Sequence, residues 1–219
     1  VFFIRSPRDY VLFFTNAAAF FARDFAFDRS YTRNILDETT AEPATNPLQL
    51  HYFSQTPYRF GAESERRAVK YGVFPVPCGA EPIMATPPSA HRDFLREAMI
   101  ANLRREDACF EMRLQFQKDS RTMPVEDSTI LWDRAQSEFV TEPVAFIRIP
   151  KEDNDGKLEN EARTKFCENI AMTPWHSIAE HRPLGGTNRV RKVVYQAVSR
   201  FRRQANEVTP TEPTGRENF

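Results

Sequence analysis

The chain has 219 residues, of which 41% are hydrophobic and 27% are charged. A chain of this length buries enough apolar surface for one domain, which we assign to residues 1–207. Thirty basic residues balance thirty acidic ones, so no net electrostatic field attracts nucleic acid or an anionic membrane. The tail at 208–219 is rich in Pro, Thr, Glu and Gly, a composition that predicts disorder.

The amino-terminal segment is apolar but does not resemble a membrane anchor. Charged residues at Arg5, Arg8, Asp9 and Arg23 interrupt it, and a membrane-spanning helix needs about 20 consecutive apolar residues. The basic start, apolar middle and small-residue cleavage site of a signal peptide do not occur in that order. We therefore expect neither a membrane partner nor secretion.

The three cysteines, Cys78, Cys109 and Cys167, share no close spacing. This pattern predicts neither a disulfide framework nor a zinc site, and it favours a reducing compartment. We expect the cytoplasm, or the peroxisome if the source is eukaryotic.

Alternating apolar residues predict four strands in an α+β fold. The clearest run is 110–117, in which Phe110 and Leu114 share one face. Each predicted strand is half-buried and bounded by Pro or Gly, as expected of an antiparallel sheet. The other three runs lie at 48–54, 68–74 and 144–149.

A helix is predicted between the second and third of these strands. Leu95, Met99 and Leu103 recur once per turn there, and Ser89 is placed to cap the helix. We expect it to pack across the sheet.

A second helix is predicted over 187–204, after a glycine pair that permits a tight turn. Thr187 or Asn188 is expected to cap it. On a helical wheel, one stripe contains Arg191, Tyr195, Val198 and Arg202. An adjoining apolar stripe, expected to be buried with Tyr195 at its edge, contains Val190, Val194, Ala197 and Phe201.

The step from Arg191 to Tyr195 is the strongest chemical signal in the chain. A phenol ionises near pH 10, so a tyrosine binds a metal at neutral pH only when the metal and a neighbouring cation stabilise the phenolate. Arg191 lies one turn before Tyr195 and supplies that cation. Tyrosinate is the axial ligand found in catalase haem. From the residues alone, a tyrosine at the rim of the core with its hydroxyl in water is the commoner arrangement.

His176, Glu180 and His181 do not form a metal motif. Three residues separate His176 from Glu180, whereas the inverted zinc-protease motif has two. We interpret these side chains as groups that pack in a loop. His51 and His91 have no evident catalytic partner.

Several segments together resemble the catalase superfamily, and more closely its smaller catalase-related branch than the large haem catalases. Their order and spacing carry the resemblance, since no single segment is specific. Tyr195 falls where that family places its proximal haem ligand. The matching segments lie at 1–7, 46–47, 51–61, 68–71, 124–127, 144–150, 166–169 and 180–186.

The resemblance implies the second half of a catalase-like antiparallel β-barrel, with flanking helices and a carboxyl-terminal haem-ligand helix. In such proteins the distal histidine and asparagine lie in a segment that would precede residue 1. We therefore expect an amino-terminally truncated domain that carries the proximal half of the haem site, with open sheet edges.

The resemblance also implies haem b as the cofactor, with Tyr195 as the iron ligand and Arg191 as its catalytic assistant. Arg202 is a candidate partner for a haem propionate. Met172 stands where longer catalases have a phenylalanine, which departs from their pattern. The implied haem-lining set is Phe2, Tyr10, Met172, Arg191, Tyr195 and Arg202.

The implied activity is the decomposition of hydrogen peroxide or organic hydroperoxides in oxidative-stress defence. Without the distal base, the chain alone is expected to have little peroxide-splitting activity. The alternative is a non-catalytic remnant or a haem-binding scaffold. The expected partner is a small-molecule peroxide, and a homo-oligomer is compatible with the resemblance.

Overall fold

The computed structural model describes residues 4, 7–22, 35, 37, 44–78, 83, 91–132, 137–151 and 160–217. Within them an antiparallel sheet has the strand order β1–β3–β4–β5, and β2 also pairs with β3. The strands are β1 (Tyr52–Phe53), β2 (Tyr58–Phe60), β3 (Arg67–Val76), β4 (Ala108–Phe116) and β5 (Ala145–Ile149).

The central pair of the sheet is β3 with β4, whose register runs from Val69 opposite Phe116 to Val76 opposite Cys109. Three of the predicted strands are present at β3, β4 and β5. The first prediction is only partly correct, because 47–49 form a 3₁₀ helix and the strand begins at Tyr52. Asn46 accepts a hydrogen bond from the Leu48 amide and starts that helix.

The described strands form an open sheet and not a barrel. The predicted antiparallel arrangement with open edges is confirmed, whereas the described strands do not close into a barrel. The edge strand β5 is exposed over most of its length. Strand β2 was missed because it has only three residues, too few to show a period.

The described helices are α1 (Pro7–Thr15), α2 (Ala17–Ala22), α3 (Phe94–Leu103), α4 (Glu161–Asn169) and α5 (Gly186–Ala205). The predicted α3 is present and begins after Asp93, whose side chain makes no capping bond. The predicted capping residue Ser89 lies outside the described residues. None of the described helices combines enough length and apolarity to cross a bilayer.

Two small apolar clusters lie on the sheet. The first contains Leu103 of α3 and Phe110 of β4. The second contains Ala68 of β3 beneath Met123 and Trp132, and Leu184 packs against it just before α5. This second cluster fixes where α5 begins relative to the sheet.

Cys78 and Cys109 form a disulfide, with 5.7 Å between their Cα atoms. The prediction that no cysteines pair is therefore wrong. Thirty-one positions separate the two residues, so their proximity is invisible in the sequence. The β3–β4 register creates it, because Val76 lies opposite Cys109 and Cys78 follows two residues later. The cysteine argument for a reducing compartment no longer holds.

Residues 208–217 form neither a helix nor a strand. The Thr211 carbonyl accepts a hydrogen bond from Arg203, and the Thr214 amide donates to Glu217. Disorder of this tail stays a prediction.

Candidate functional site

Helix α5 begins at a glycine that no other residue replaces without strain. Gly185 has a φ of 84°, and a Cβ atom there would collide with the Val125 carbonyl oxygen. Thr187 and Asn188, the predicted caps, lie inside the first turn, and Gly185 at the cap position makes no side-chain bond. That prediction is wrong because the backbone turn and not a side chain starts the helix.

Glu126 fixes the first turn of α5 from outside. Its carboxylate accepts hydrogen bonds from the Gly186 amide at 2.8 Å and from the Arg189 guanidinium at 2.9 Å. The hydrogen bond from Arg189 lowers the pKa of the Glu126 carboxyl below its usual value, and the Gly186 amide adds to this.

Asn188 joins α5 to the body of the protein. Its side chain is fully buried and donates to the carbonyl oxygens of Pro57 at 3.2 Å and Leu184 at 2.8 Å. Its Oδ1 accepts from Thr56 at 3.0 Å and from Arg191 at 3.2 Å. Each polar atom of this buried amide therefore has a partner.

Arg191 is held by this amide and contacts Tyr195. One guanidinium nitrogen donates to Asn188 and Thr56, and the other donates to the Tyr195 hydroxyl at 3.2 Å. The guanidinium carbon lies 5.2 Å from the centre of the Tyr195 ring. The predicted neighbourhood of cation and phenol is thus present.

The segment that follows α4 packs along α5 through hydrogen bonds. Trp175 donates from its indole nitrogen to the Asn188 carbonyl at 2.8 Å. Arg202 and Arg203 donate to the carbonyls of Ile170 and Asn169, each at 2.9 Å. One guanidinium nitrogen of Arg202, the predicted propionate partner, is thus already hydrogen-bonded to the backbone. Its buried Nε contacts no acceptor among the described residues.

One polar side of α5 packs against the protein, and its apolar side faces solvent. We call Asn188, Arg191, Tyr195, Ser199 and Arg202 the inward face. Val190, Val193, Val194, Val198 and Phe201 form the outward stripe, and Val193 and Phe201 are 66% and 71% exposed. The expectation that the apolar stripe is buried is wrong, because hydrogen bonds to loops decide which side packs. Tyr195 lies between the stripe and the protein body.

Of the remaining predicted haem-lining residues, Tyr10 and Met172 are described and lie in different parts of the chain. Phe2 lies outside the described residues. Tyr10 lies half-buried on α1, with its ring stacked against Phe14 at 6.2 Å between centroids. Met172 follows α4 and is 72% exposed. A hydrogen bond joins Arg191 to Tyr195, and the assignment of the other residues to haem stays a prediction.

The histidines make loop and ring contacts. His181 Nδ1 lies 3.4 Å from the Tyr71 hydroxyl, and its ring packs edge-on against Phe60. His176 lies 3.9 Å from the Glu212 carboxylate. Within the described part of the chain, no three His, Cys, Asp or Glu residues are grouped to hold a metal ion. This does not bear on a tyrosine ligand.

Sequence reasoning missed the residues that support Arg191. Thr56 and Asn188 come from segments that carry the catalase resemblance or flank it, but their types suggest only a turn and a helix cap. Trp175 had no assigned role. One sequence signal could have identified Thr56 and Asn188. Both lie close to proline or glycine turns, and such turns place short polar side chains against helix ends.

No family model and no curated protein sequence matches the chain. Solved structures do resemble it. A fungal catalase is 13% identical with a TM-score of 0.53, covering 72% of this chain and 32% of the catalase. Catalase A from Saccharomyces cerevisiae is 12% identical with a TM-score of 0.51, covering 73% of this chain and 33% of its own. The chain therefore has a fold similar to part of a catalase and spans about a third of the length of these enzymes.

Proposed function

We propose that this chain carries the proximal side of a haem site in a catalase-type oxidoreductase that acts on hydrogen peroxide or an organic hydroperoxide. The observation that carries the proposal is the hydrogen bond from Arg191 to the Tyr195 hydroxyl at 3.2 Å. The similarity of fold to two catalases supports it. Tyrosinate is the axial ligand of catalase haem.

The residues around Tyr195 fit a haem group. The outward stripe offers apolar side chains beside Tyr195, including Val194 and Val198, and the apolar faces of a porphyrin need such a surface. The buried Arg202 Nε, which contacts no acceptor among the described residues, is a donor suited to a carboxylate. Tyr195 would bind the iron and Arg202 a propionate.

Four residues have a definite task in this proposal: Tyr195, Arg191, Asn188 and Thr56. Bound haem supplies the redox chemistry that splits a peroxide bond. Arg191 stabilises the phenolate of Tyr195 through its charge and its hydrogen bond. Asn188 and Thr56 accept hydrogen bonds from the other guanidinium nitrogen, which fixes the orientation of Arg191. Both acceptors are neutral, so they leave the guanidinium charge available to Tyr195.

A hemin titration followed by absorption spectroscopy tests the proposal. We expect a saturable, shifted Soret band in the wild type that is lost or altered in Tyr195→Phe. Tyr52→Phe is the matched control, because Tyr52 lies on β1 and its hydroxyl bonds to the Pro47 carbonyl. A spectrum that is identical in all three proteins would refute ligation by Tyr195.

Arg191→Gln separates ligation from charge stabilisation. The variant keeps a hydrogen-bond donor but removes the cation, so we expect it to bind hemin more weakly than the wild type while Tyr195→Phe loses the ligand altogether. Oxygen evolution from peroxide by the hemin-loaded wild type then distinguishes an enzyme from a scaffold that only binds haem.

A further inference from the structure

A groove runs along the side of α5 away from the outward stripe. Its volume is about 640 Å³, within the usual range for small-molecule sites. One wall is α5 from Lys192 to Gln204, the second is the segment at 171–176, and the third is the tail at 208–212. The groove therefore lies between three separate parts of the chain.

The groove has an excess of positive charge. Lys192, Arg200 and Arg203 line it, against Glu212 as the carboxylate. Lys192 lies over the Trp175 ring at 4.7 Å, and in the described part of the chain neither Lys192 nor Arg200 has a carboxylate partner. Two cations in the groove are thus open to an anion.

Arg203 is the most buried cation of the groove. Its side chain is 11% exposed, yet the nearest carboxylate oxygen, from Glu212, is 3.7 Å away. Its Nε is satisfied by the Asn169 carbonyl. A desolvated guanidinium is stabilised best by a close, bidentate carboxylate, which Glu212 does not supply.

Glu212 marks where a carboxylate is drawn into the groove. One of its oxygens approaches Arg203, and the other lies 3.9 Å from His176. Both distances are at the limit of an ion pair, and the Glu212 side chain is 60% exposed. The tail therefore brings a carboxylate to the right place without binding it tightly.

We propose that this groove binds a small organic carboxylate, which takes the position of Glu212 beside Arg203 and places its apolar body near Trp175. Lys192 supplies a second cation at the groove wall, and Ala171 and Val208 supply apolar surface. Tyr195, the proposed iron ligand, also lines the groove, so this site adjoins the haem surface; the carboxylate proposal is tested without hemin and does not depend on haem binding. The tail competes with the ligand through Glu212.

Calorimetric titration of the full chain without hemin tests this site, with 1-naphthoate as the probe and 1-naphthalenemethanol as its neutral match. We expect binding of the carboxylate that weakens with added salt, and binding of the alcohol that is at least about ten-fold weaker. Equal affinity for the two compounds, or no binding of the carboxylate, would overturn the proposal.

Variants locate the binding to the groove. Lys192→Gln and Arg203→Gln are each expected to weaken 1-naphthoate about ten-fold. Lys192 is exposed, so its variant keeps the test valid if the Arg203 variant does not fold. Arg189→Gln is the control, because Arg189 pairs with Glu126 at the other end of α5. A Lys192 variant that binds like the wild type would place the probe elsewhere and overturn the proposal.

The tail is tested by Glu212→Gln. Removing the competing carboxylate is expected to lower the dissociation constant of 1-naphthoate roughly two- to five-fold. This change corresponds to the interaction energy of a weak, exposed ion pair. Unchanged or weaker binding in this variant would contradict the position assigned to the ligand carboxylate.

Discussion

The inward face and the outward stripe of α5 differ in a way opposite to an ordinary surface helix. The inward face contains Asn188, Arg191 and Arg202, which hydrogen-bond to loops of the protein body. The outward stripe contains Val193 and Phe201, which face solvent. Helical periodicity predicts that two faces exist, but hydrogen-bond partners decide which of them is buried.

The two faces also contribute to stability differently. A buried polar group costs free energy unless it is paired, so the inward face stabilises the fold only while its hydrogen bonds are intact. The outward stripe contributes little to the fold in isolation. It gains about 25 cal/mol for each Å² of apolar surface that a ligand or partner covers.

Loss of Asn188 should have the largest effect on this comparison. Asn188→Ala removes one donor from each of the carbonyls of Pro57 and Leu184, and it removes the oxygen that accepts from the Thr56 hydroxyl. We expect a loss of about 3–4 kcal/mol in the free energy of unfolding, measured by urea denaturation. Asn206→Ala is the control at the carboxyl-terminal cap of the same helix, because its amide bonds at an exposed site and its loss should cost less than about 1 kcal/mol. Equal losses would mean that burial does not distinguish the inward face.

Gly185 sets the direction in which both faces point. Gly185→Ala places a Cβ against the Val125 carbonyl at a φ of 84°, so we expect a loss of about 2–3 kcal/mol in thermal or urea unfolding. Gly215 has a φ of 74°, and no atom lies within 4 Å of the position that its Cβ would occupy. Gly215→Ala therefore isolates the backbone cost, which should be about 1 kcal/mol or less. A Gly185 variant as stable as the Gly215 variant would show that the backbone around Val125 shifts to accommodate the new Cβ atom without cost.

Lys70 is a contrasting buried polar group, because its side chain has no hydrogen-bond partner among the described residues. It lies on β3 with its ammonium 4.9 Å from the centre of the Trp132 ring, and burial lowers its pKa to about 8. An unfolded lysine titrates near pH 10.4. Between these values the unfolded chain binds more protons, so stability rises with pH.

Lys70→Met removes that rise. The variant should have its largest stability advantage over the wild type below pH 8, where the buried charge is fully present. This advantage should shrink by about 1–2 kcal/mol between pH 8 and 9.5 in urea denaturation. Lys165→Met, at an exposed i, i+4 pair with Glu161, is the control and should show no such change. A constant difference for Lys70→Met would mean that its ammonium is solvated.

The sequence predicted elements well where a period is long and clear. Alternation located β4, and one-turn repeats located α3 and α5 within a few residues. It also placed Arg191 next to Tyr195, because contacts between i and i+4 follow from helix geometry alone. The sequence did not predict features that depend on residues far apart in the chain. The Cys78–Cys109 disulfide is one of these, because it follows from the strand register.

The candidate site shows the same limit. The pairing of cation and phenol was predictable from local spacing, whereas the support of Arg191 by Thr56 joins positions 135 residues apart. The orientation of α5 was predicted wrongly because the apolar stripe was assumed to face the core. A short polar side chain such as Asn188 outweighs several valines when it is buried and each of its polar atoms has a partner.

Substitution on the outward stripe should have the smallest effect on folding and the clearest effect on ligand binding. Phe201→Ser and Val194→Ser remove apolar surface that is already exposed, so the free energy of unfolding should change by less than about 0.5 kcal/mol. If haem covers the stripe, the Val194 variant should bind hemin several-fold more weakly, because a lost methyl contact is worth about 1 kcal/mol.

Val11→Ser is the matched control for that test, since Val11 is comparably exposed but lies on α1. Its variant should match the wild type in both urea denaturation and hemin titration. Destabilisation of the Val194 variant by more than about 1 kcal/mol would mean that the stripe packs within the protein in solution. In that case the hydrogen bonds of the inward face would be broken in solution, and the outward stripe would be the side of α5 that packs against the protein.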